Sequence, residues 1–86
     1  MPKVKICGLR TLEDIQAVNS CRPDFAGFIV EYPKSRRSIT SDELKTLTSQ
    51  LDPSICAVGV FVNAPFVLVA DLLEQKVIQM AQLHGQ

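Results

Sequence analysis

Phe25-Ala26-Gly27-Phe28-Ile29-Val30 is a near-continuous apolar run between the turn signal Pro23-Asp24 and a long polar stretch. A run of this length and composition reads as a strand covered on both faces, which is usual in parallel sheets. Ala57-Val58-Gly59-Val60-Phe61-Val62 repeats the pattern further along. Lys3 to Cys7 alternates polar and apolar with the period of a strand, and Met80-Ala81-Gln82-Leu83-His84-Gly85 reads as a last one.

Helical signals fill the gaps between these strands. Thr11 can cap a first helix, with Asp14 at the third helical position completing a capping box, and Leu12, Ile15 and Val18 sharing a face. Thr40 and Glu43 make a second box ahead of Leu44, Leu47 and Leu51, whose spacing is amphipathic, and Pro53 is expected to stop that helix. Asn63 is a candidate cap for a third helix, with Pro65 in its first turn and Phe66, Val69, Ala70 and Leu73 as its inner stripe. The order is βαβαβαβ, four strands and three helices in one domain over residues 1–86. Strict alternation of this kind predicts a parallel α/β sheet with right-handed crossovers.

Composition narrows the function classes. Nine basic and nine acidic residues balance, so there is no field suited to nucleic acid or to an anionic membrane. No apolar run approaches the roughly 20 residues of a membrane span, and no secretory signal pattern opens the chain. The three cysteines, Cys7, Cys21 and Cys56, are odd in number and irregular in spacing, against a disulfide framework or a CxxC site. A reducing cytoplasm is the expected location. Neither Gly8 nor Gly27 belongs to a dinucleotide or P-loop pattern.

Parallel strands bring their C-terminal ends to one edge, where open α/β sheets and α/β barrels carry chemistry. That edge would hold Cys7, the basic loop Lys34-Ser35-Arg36-Arg37, Asn63 and His84. Lys3, Lys5 and Cys7 share one face of the first strand; Met80, Gln82 and His84 share one face of the last. Polar groups on otherwise buried strands need a cavity or partners, which implies a pocket for a polar, anionic molecule. Each residue also has a purely structural reading: Cys7 as a small core filler, Arg36 and Arg37 as a solvated loop, His84 as a strand-end hydrogen-bonding group, Lys5 as the partner of a carboxylate. Cys21 and Cys56 have no charged neighbourhood and read as packing residues.

Five stretches taken in order resemble the phosphoribosylanthranilate isomerase family of tryptophan biosynthesis. They are Lys5-Ile6-Cys7-Gly8-Leu9, Asp24 to Ile29, Pro33 to Ile39, Val58 to Asn63, and Gln82-Leu83-His84-Gly85. The resemblance implies a TIM (βα)8 barrel that converts N-(5'-phosphoribosyl)anthranilate to 1-(2-carboxyphenylamino)-1-deoxyribulose 5-phosphate, an Amadori rearrangement needing no cofactor and no metal. It implies that Cys7 is the general base, that Arg37 binds the anthranilate carboxylate and that His84 belongs to the substrate-binding set. Arg10 stands where the family also commonly has threonine. The implied ligand is a small phosphorylated sugar-anthranilate, with no nucleic acid and no membrane.

A whole barrel takes roughly 200 residues or more. The expectation is therefore an N-terminal half-barrel, a truncated piece inactive by itself. The family's general-acid aspartate and phosphate-binding loops belong to its later half, and none of Asp14, Asp24, Asp42, Asp52 or Asp71 takes the acid's place. Unpaired first and last strands would favour self-association through sheet edges. Two other readings remain open at this point: a stand-alone flavodoxin-like binding domain, and a non-catalytic half-barrel scaffold.

Overall fold

The computed structural model describes residues 3–84. Its elements are β1 (Lys5–Ile6), α1 (Leu12–Cys21), β2 (Phe25–Val30), β3 (Ser38–Ile39), α2 (Ser41–Ser49), β4 (Cys56–Val62), α3 (Phe66–Glu74) and β5 (Met80–His84). All pairings are parallel, in the order β1-β2-β4-β5, with β3 joined to the C-terminal end of β2. Five strands are thus present among the described residues, one more than the sequence suggests. β3 is two residues inside the polar loop, too short to carry a periodicity. Gly85, expected to close the last strand, lies outside the described residues.

Local chemistry sets the helix starts. Thr11 accepts from the Asp14 amide while the Asp14 carboxylate accepts from the Thr11 amide; Thr40 and Glu43 do the same for α2. α2 ends at Ser49, with Gln50 as C-cap, so Pro53 lies beyond the helix instead of stopping it. α3 departs further. Its N-cap is Pro65, without a side-chain cap bond, and Asn63 takes a left-handed φ of 53° and donates its amide to the His84 carbonyl. Val69 and Leu72 are buried while Phe66 and Leu73 are exposed, because a helix apolar nearly all round gives periodicity no contrast to read. Leu12 is likewise exposed.

Register divides the strands into two faces. Phe28, Gly59 and Ala81 are in register, as are Phe61 with Leu83 and Ala26 with Ala57. From this face Ala26, Phe28, Val30, Ala57 and Phe61 pack with Ile15 and Val18 of α1, Leu44 and Leu47 of α2, and Val69 and Leu72 of α3. Burying each of the valine, leucine, isoleucine and phenylalanine side chains contributes about 1.5–3 kcal/mol, and among the described residues no polar side chain is buried with them.

The other face carries Lys5, Phe25, Ile29, Val60, Gln82 and His84, exposed or half-buried, with Val58 alone of its large side chains buried among them. The expectation that β2 is covered on both faces is therefore corrected: the helices pack on one face only. A doubly wound sheet carries helices on both faces and reverses its strand order at a switch point. Neither feature is present among the described residues, which removes the flavodoxin-like reading. Helices on one side of a parallel sheet whose strands follow in chain order are the arrangement of a (βα) barrel wall. Cys21 is exposed and Cys56 half-buried, so Cys21 is not the packing residue expected.

Candidate active site

The expected first strand, Lys3 to Cys7, is only Lys5–Ile6 in the structure, and the Cys7 thiol just beyond it is held by a turn. Gly8, at φ +81°, donates its amide to the Gly27 carbonyl at 3.0 Å, and the Leu9 amide shares that acceptor at 3.3 Å. Leu9 is buried in the helix-side core and anchors the approach to α1. The Arg10 and Thr11 amides then both donate to Asp14 Oδ2, at 3.0 and 3.2 Å. The Arg10 amide is the chief cause holding the Asp14 carboxyl below its ordinary value, so this acid is ionised at neutral pH and committed to the helix start.

The basic loop is pinned from several sides. The Glu31 amide donates to the Ile39 carbonyl at 2.8 Å, and the Tyr32 amide to Ser38 Oγ at 2.7 Å. The Glu31 carboxylate accepts from the Ser41 amide and hydroxyl at the start of α2. Arg10 reaches across from the first loop and donates to the Arg36 carbonyl. The loop is thereby laid against Gly8, where an added Cβ would fall 2.6 Å from Arg37 Cδ and 2.8 Å from Nη1. Glycine at position 8 thus serves both the positive φ and the approach of Arg37.

These two loops enclose a cleft of about 310 Å³ lined by Cys7, Gly8, Leu9, Arg10, Asp14 and Arg37. Cys7 and Arg37 are brought together as expected. The arrangement offers an exposed thiol beside two guanidinium groups, suited to a proton transfer next to a bound carboxylate. A larger hollow of about 490 Å³ lies among Lys45, Asp52, Pro53, Lys76 and Gln79, at the opposite end of the strands. It gathers no thiol or imidazole, and in parallel α/β folds that end serves stability.

His84 does not line the cleft. It ends β5, and its Nε2 lies 3.0 Å from Gln82 Nε2, while Gln82 Oε1 accepts from the Lys5 ammonium across the open face. Lys5 therefore pairs with an amide oxygen and not with a carboxylate. Lys5 and Cys7 both flank Gly27, where an added Cβ would meet Cys7 Sγ at 2.9 Å and Lys5 Cε at 3.2 Å. A shallow groove of about 250 Å³ on the same face is lined by Lys5, Phe25, Val58, Met80, Ala81 and Gln82. From the sequence Gln82 reads only as a polar residue on the last strand's face, and Arg10 has no part in the site; the structure ties Gln82 to Lys5 and His84 and lays Arg10 against the basic loop. The Arg10 contact is to a backbone carbonyl, which no residue pattern announces.

The chain matches, over residues 4–86, the family model described as N-(5'-phosphoribosyl)anthranilate (PRA) isomerase. It is 44% identical over 85 residues to the N-(5'-phosphoribosyl)anthranilate isomerase of Endomicrobium trichonymphae, covering 99% of this chain and 42% of that protein. It is also similar to the crystal structure of the Thermotoga maritima enzyme, at TM-score 0.84 and 39% identity, over 100% of this chain and 42% of that one. A third likeness, at TM-score 0.84 and 39% identity over 44% of its partner, is to a phosphoribosyl anthranilate isomerase in complex with reduced 1-(o-carboxyphenylamino)-1-deoxyribulose 5-phosphate. The chain thus spans about 42% of the length of such relatives.

Proposed function

The chain belongs to the N-(5'-phosphoribosyl)anthranilate isomerase family, and from that membership we propose that residues 1–86 form an N-terminal half-barrel domain carrying the base and carboxylate-binding side of its active site. The observation that carries the reading is the cleft in which Cys7 and Arg37 lie against Gly8.

In the proposed reaction the ring-opened imine of the phosphoribosyl anthranilate, protonated on nitrogen, loses its C2 proton to the Cys7 thiolate. The resulting enolamine tautomerises to the 1-deoxyribulose ketone. The reaction is an isomerisation, so no external oxidant or reductant enters. A free thiol has a pKa of roughly 8.5, near enough to neutrality to take and return a proton. Arg37 binds both oxygens of the anthranilate carboxylate through its planar fork, which orients the sugar toward Cys7. His84 contributes to substrate binding from β5. The family's general acid and phosphate-binding loops belong to the later half of its barrel, so turnover is assigned to the whole-length protein, a cytoplasmic enzyme in this reading. β1 and β5 each pair with one neighbour among the described residues, which supports self-association of this half through those edges.

Calorimetric titration of the 86-residue chain with reduced 1-(o-carboxyphenylamino)-1-deoxyribulose 5-phosphate tests the site. Binding that disappears in Arg37→Ala is expected; no binding, or binding indifferent to Arg37→Ala, overturns the reading. In the whole-length enzyme Cys7→Ser should lower kcat by about two to four orders of magnitude. A loss under about tenfold would remove Cys7 from the role of general base; its exposure already sets aside the core-filler reading.

A further inference from the structure

We propose that Lys5 and Gln82 are positioning residues that hold His84 as the neutral tautomer protonated on Nδ1, so that its ring serves the site as a hydrogen-bond donor to a substrate oxygen.

Donors and acceptors can be matched along this chain of contacts in one way only. Lysine has three donors and no acceptor, so only the amide oxygen of Gln82 can face the Lys5 ammonium. With Oε1 turned to Lys5, the Gln82 amide nitrogen is what lies 3.0 Å from His84 Nε2. That nitrogen can only donate, so Nε2 must accept and carries no proton. A neutral imidazole has one N–H, which is left on Nδ1. The contacts run from β1 to β5 across Gly27, whose missing side chain gives Lys5 its path over the sheet. Lys5 is thereby read as an orienting group, one step removed from the ligand.

The consequence for the site depends on the functional reading above: His84 acts toward the ligand through Nδ1–H and not as a proton acceptor. An exposed imidazole without a fixed partner distributes its proton over both nitrogens.

His84 is the chain's one histidine, so its ring nitrogens can be read without ambiguity. Two-bond proton–nitrogen correlation spectra of the 86-residue chain, taken well above the ordinary histidine range of about 6.5, report which nitrogen is protonated. The expected spectrum shows Nδ1 protonated and Nε2 bare. Gln82→Glu supplies a carboxylate acceptor and should move the proton to Nε2. Lys5→Met frees the amide to rotate and should give a mixture of both tautomers. A wild-type ring protonated on Nε2, or already mixed, overturns the proposal, as does an unchanged tautomer in Gln82→Glu. Should Gln82→Glu fail to fold, Lys5→Met decides, and a single tautomer surviving there overturns it. The readout needs no ligand, so failure of the deoxyribulose analogue to bind would count against the functional reading and leave the tautomer result standing.

Discussion

The two faces of the sheet come from the same strands, one residue out of phase, and they have opposite fates. Phe28 and Phe61 point to the helices and are almost wholly removed from solvent. Phe25, Ile29 and Val60, close by along β2 and β4, are half-buried. One face is closed, apolar and without a buried polar side chain among the described residues. The other mixes valine and isoleucine with Lys5, Gln82 and His84, and the thiol stands at its edge. Stability is concentrated on one side of the sheet and chemistry on the other. Side-chain alternation along a strand makes that division possible with no change of backbone.

Substitutions on the two faces should therefore differ most in stability. Phe28→Ala is expected to cost about 3–5 kcal/mol, whereas Met80→Ala, half-exposed on the open face, should stay within about 0.5 kcal/mol. Urea denaturation of the 86-residue chain measures both. A Met80→Ala loss as large as that of Phe28→Ala would mean that the open face is covered in solution, and the contrast between faces would fail.

The two strand glycines give a finer version of the comparison. An added Cβ at Gly59 would meet the Phe61 ring at 2.8 and 2.9 Å and Ile78 at 3.0 Å, within a core that has no room to shift. Gly59→Ala should cost about 1–3 kcal/mol by overpacking. At Gly27 the two nearest atoms are the exposed Cys7 sulfur and the Lys5 stem, which can swing away, and the Cys7 Cα at 3.3 Å needs to give only a few tenths of an ångström. Gly27→Ala should cost on the order of 1 kcal/mol or less, while the alkylation rate of Cys7 changes. Equal costs at the two positions would show that the open face is as rigid as the closed one.

The helix cap beside the cleft joins the two sides, and its loss should be felt on both. Thr11→Ala should lower stability by about 1 kcal/mol and, by loosening the turn that carries Arg10, weaken binding of the deoxyribulose analogue. Intact binding beside the loss of stability would separate the cap from the site.

Acid should have the smallest and most local effect. The folded-state pKa of Asp14 is depressed, first by the Arg10 amide, and that of Asp52 by the Ser54 amide. Such groups contribute stability that is fully present above their unfolded value of about 3.9 and is lost as pH falls through the lower folded value. Thermal melts should be flat from neutrality to about pH 5 and decline below about pH 4. Asp14→Asn should show a shallower decline. An identical acid profile in Asp14→Asn would remove Asp14 from the account.

Much of this was legible in the sequence wherever the signal is local. The capping boxes at Thr11 and Thr40 use residues three apart, and the runs at β2 and β4 are contiguous, so both could be read directly. Coverage of the strands could not. An apolar run looks the same whether its second face meets helices or lines the inside of a curved wall, and one-sided packing emerges only when all three helices are placed. α3 misled because Phe66, Val67, Leu68, Val69, Leu72 and Leu73 supply apolar residues around most of its circumference. In the site, strand polarity brought Cys7 and Arg37 to one edge as expected. The separation of His84, and its tie through Gln82 to Lys5, depend on which strand ends up where in the sheet. The contact of Arg10 with a backbone carbonyl has no counterpart in residue type at all.

The strand order has a consequence for how the molecule is made. Each main strand pairs with the one that preceded it by a single helical crossover: β2 on β1, β4 on β2, β5 on β4. None of these pairings waits for a remote segment, so the closure entropy of each step is that of one short loop and helix. A chain emerging from a ribosome can add one strand and one helix at a time, extending the wall as it lengthens.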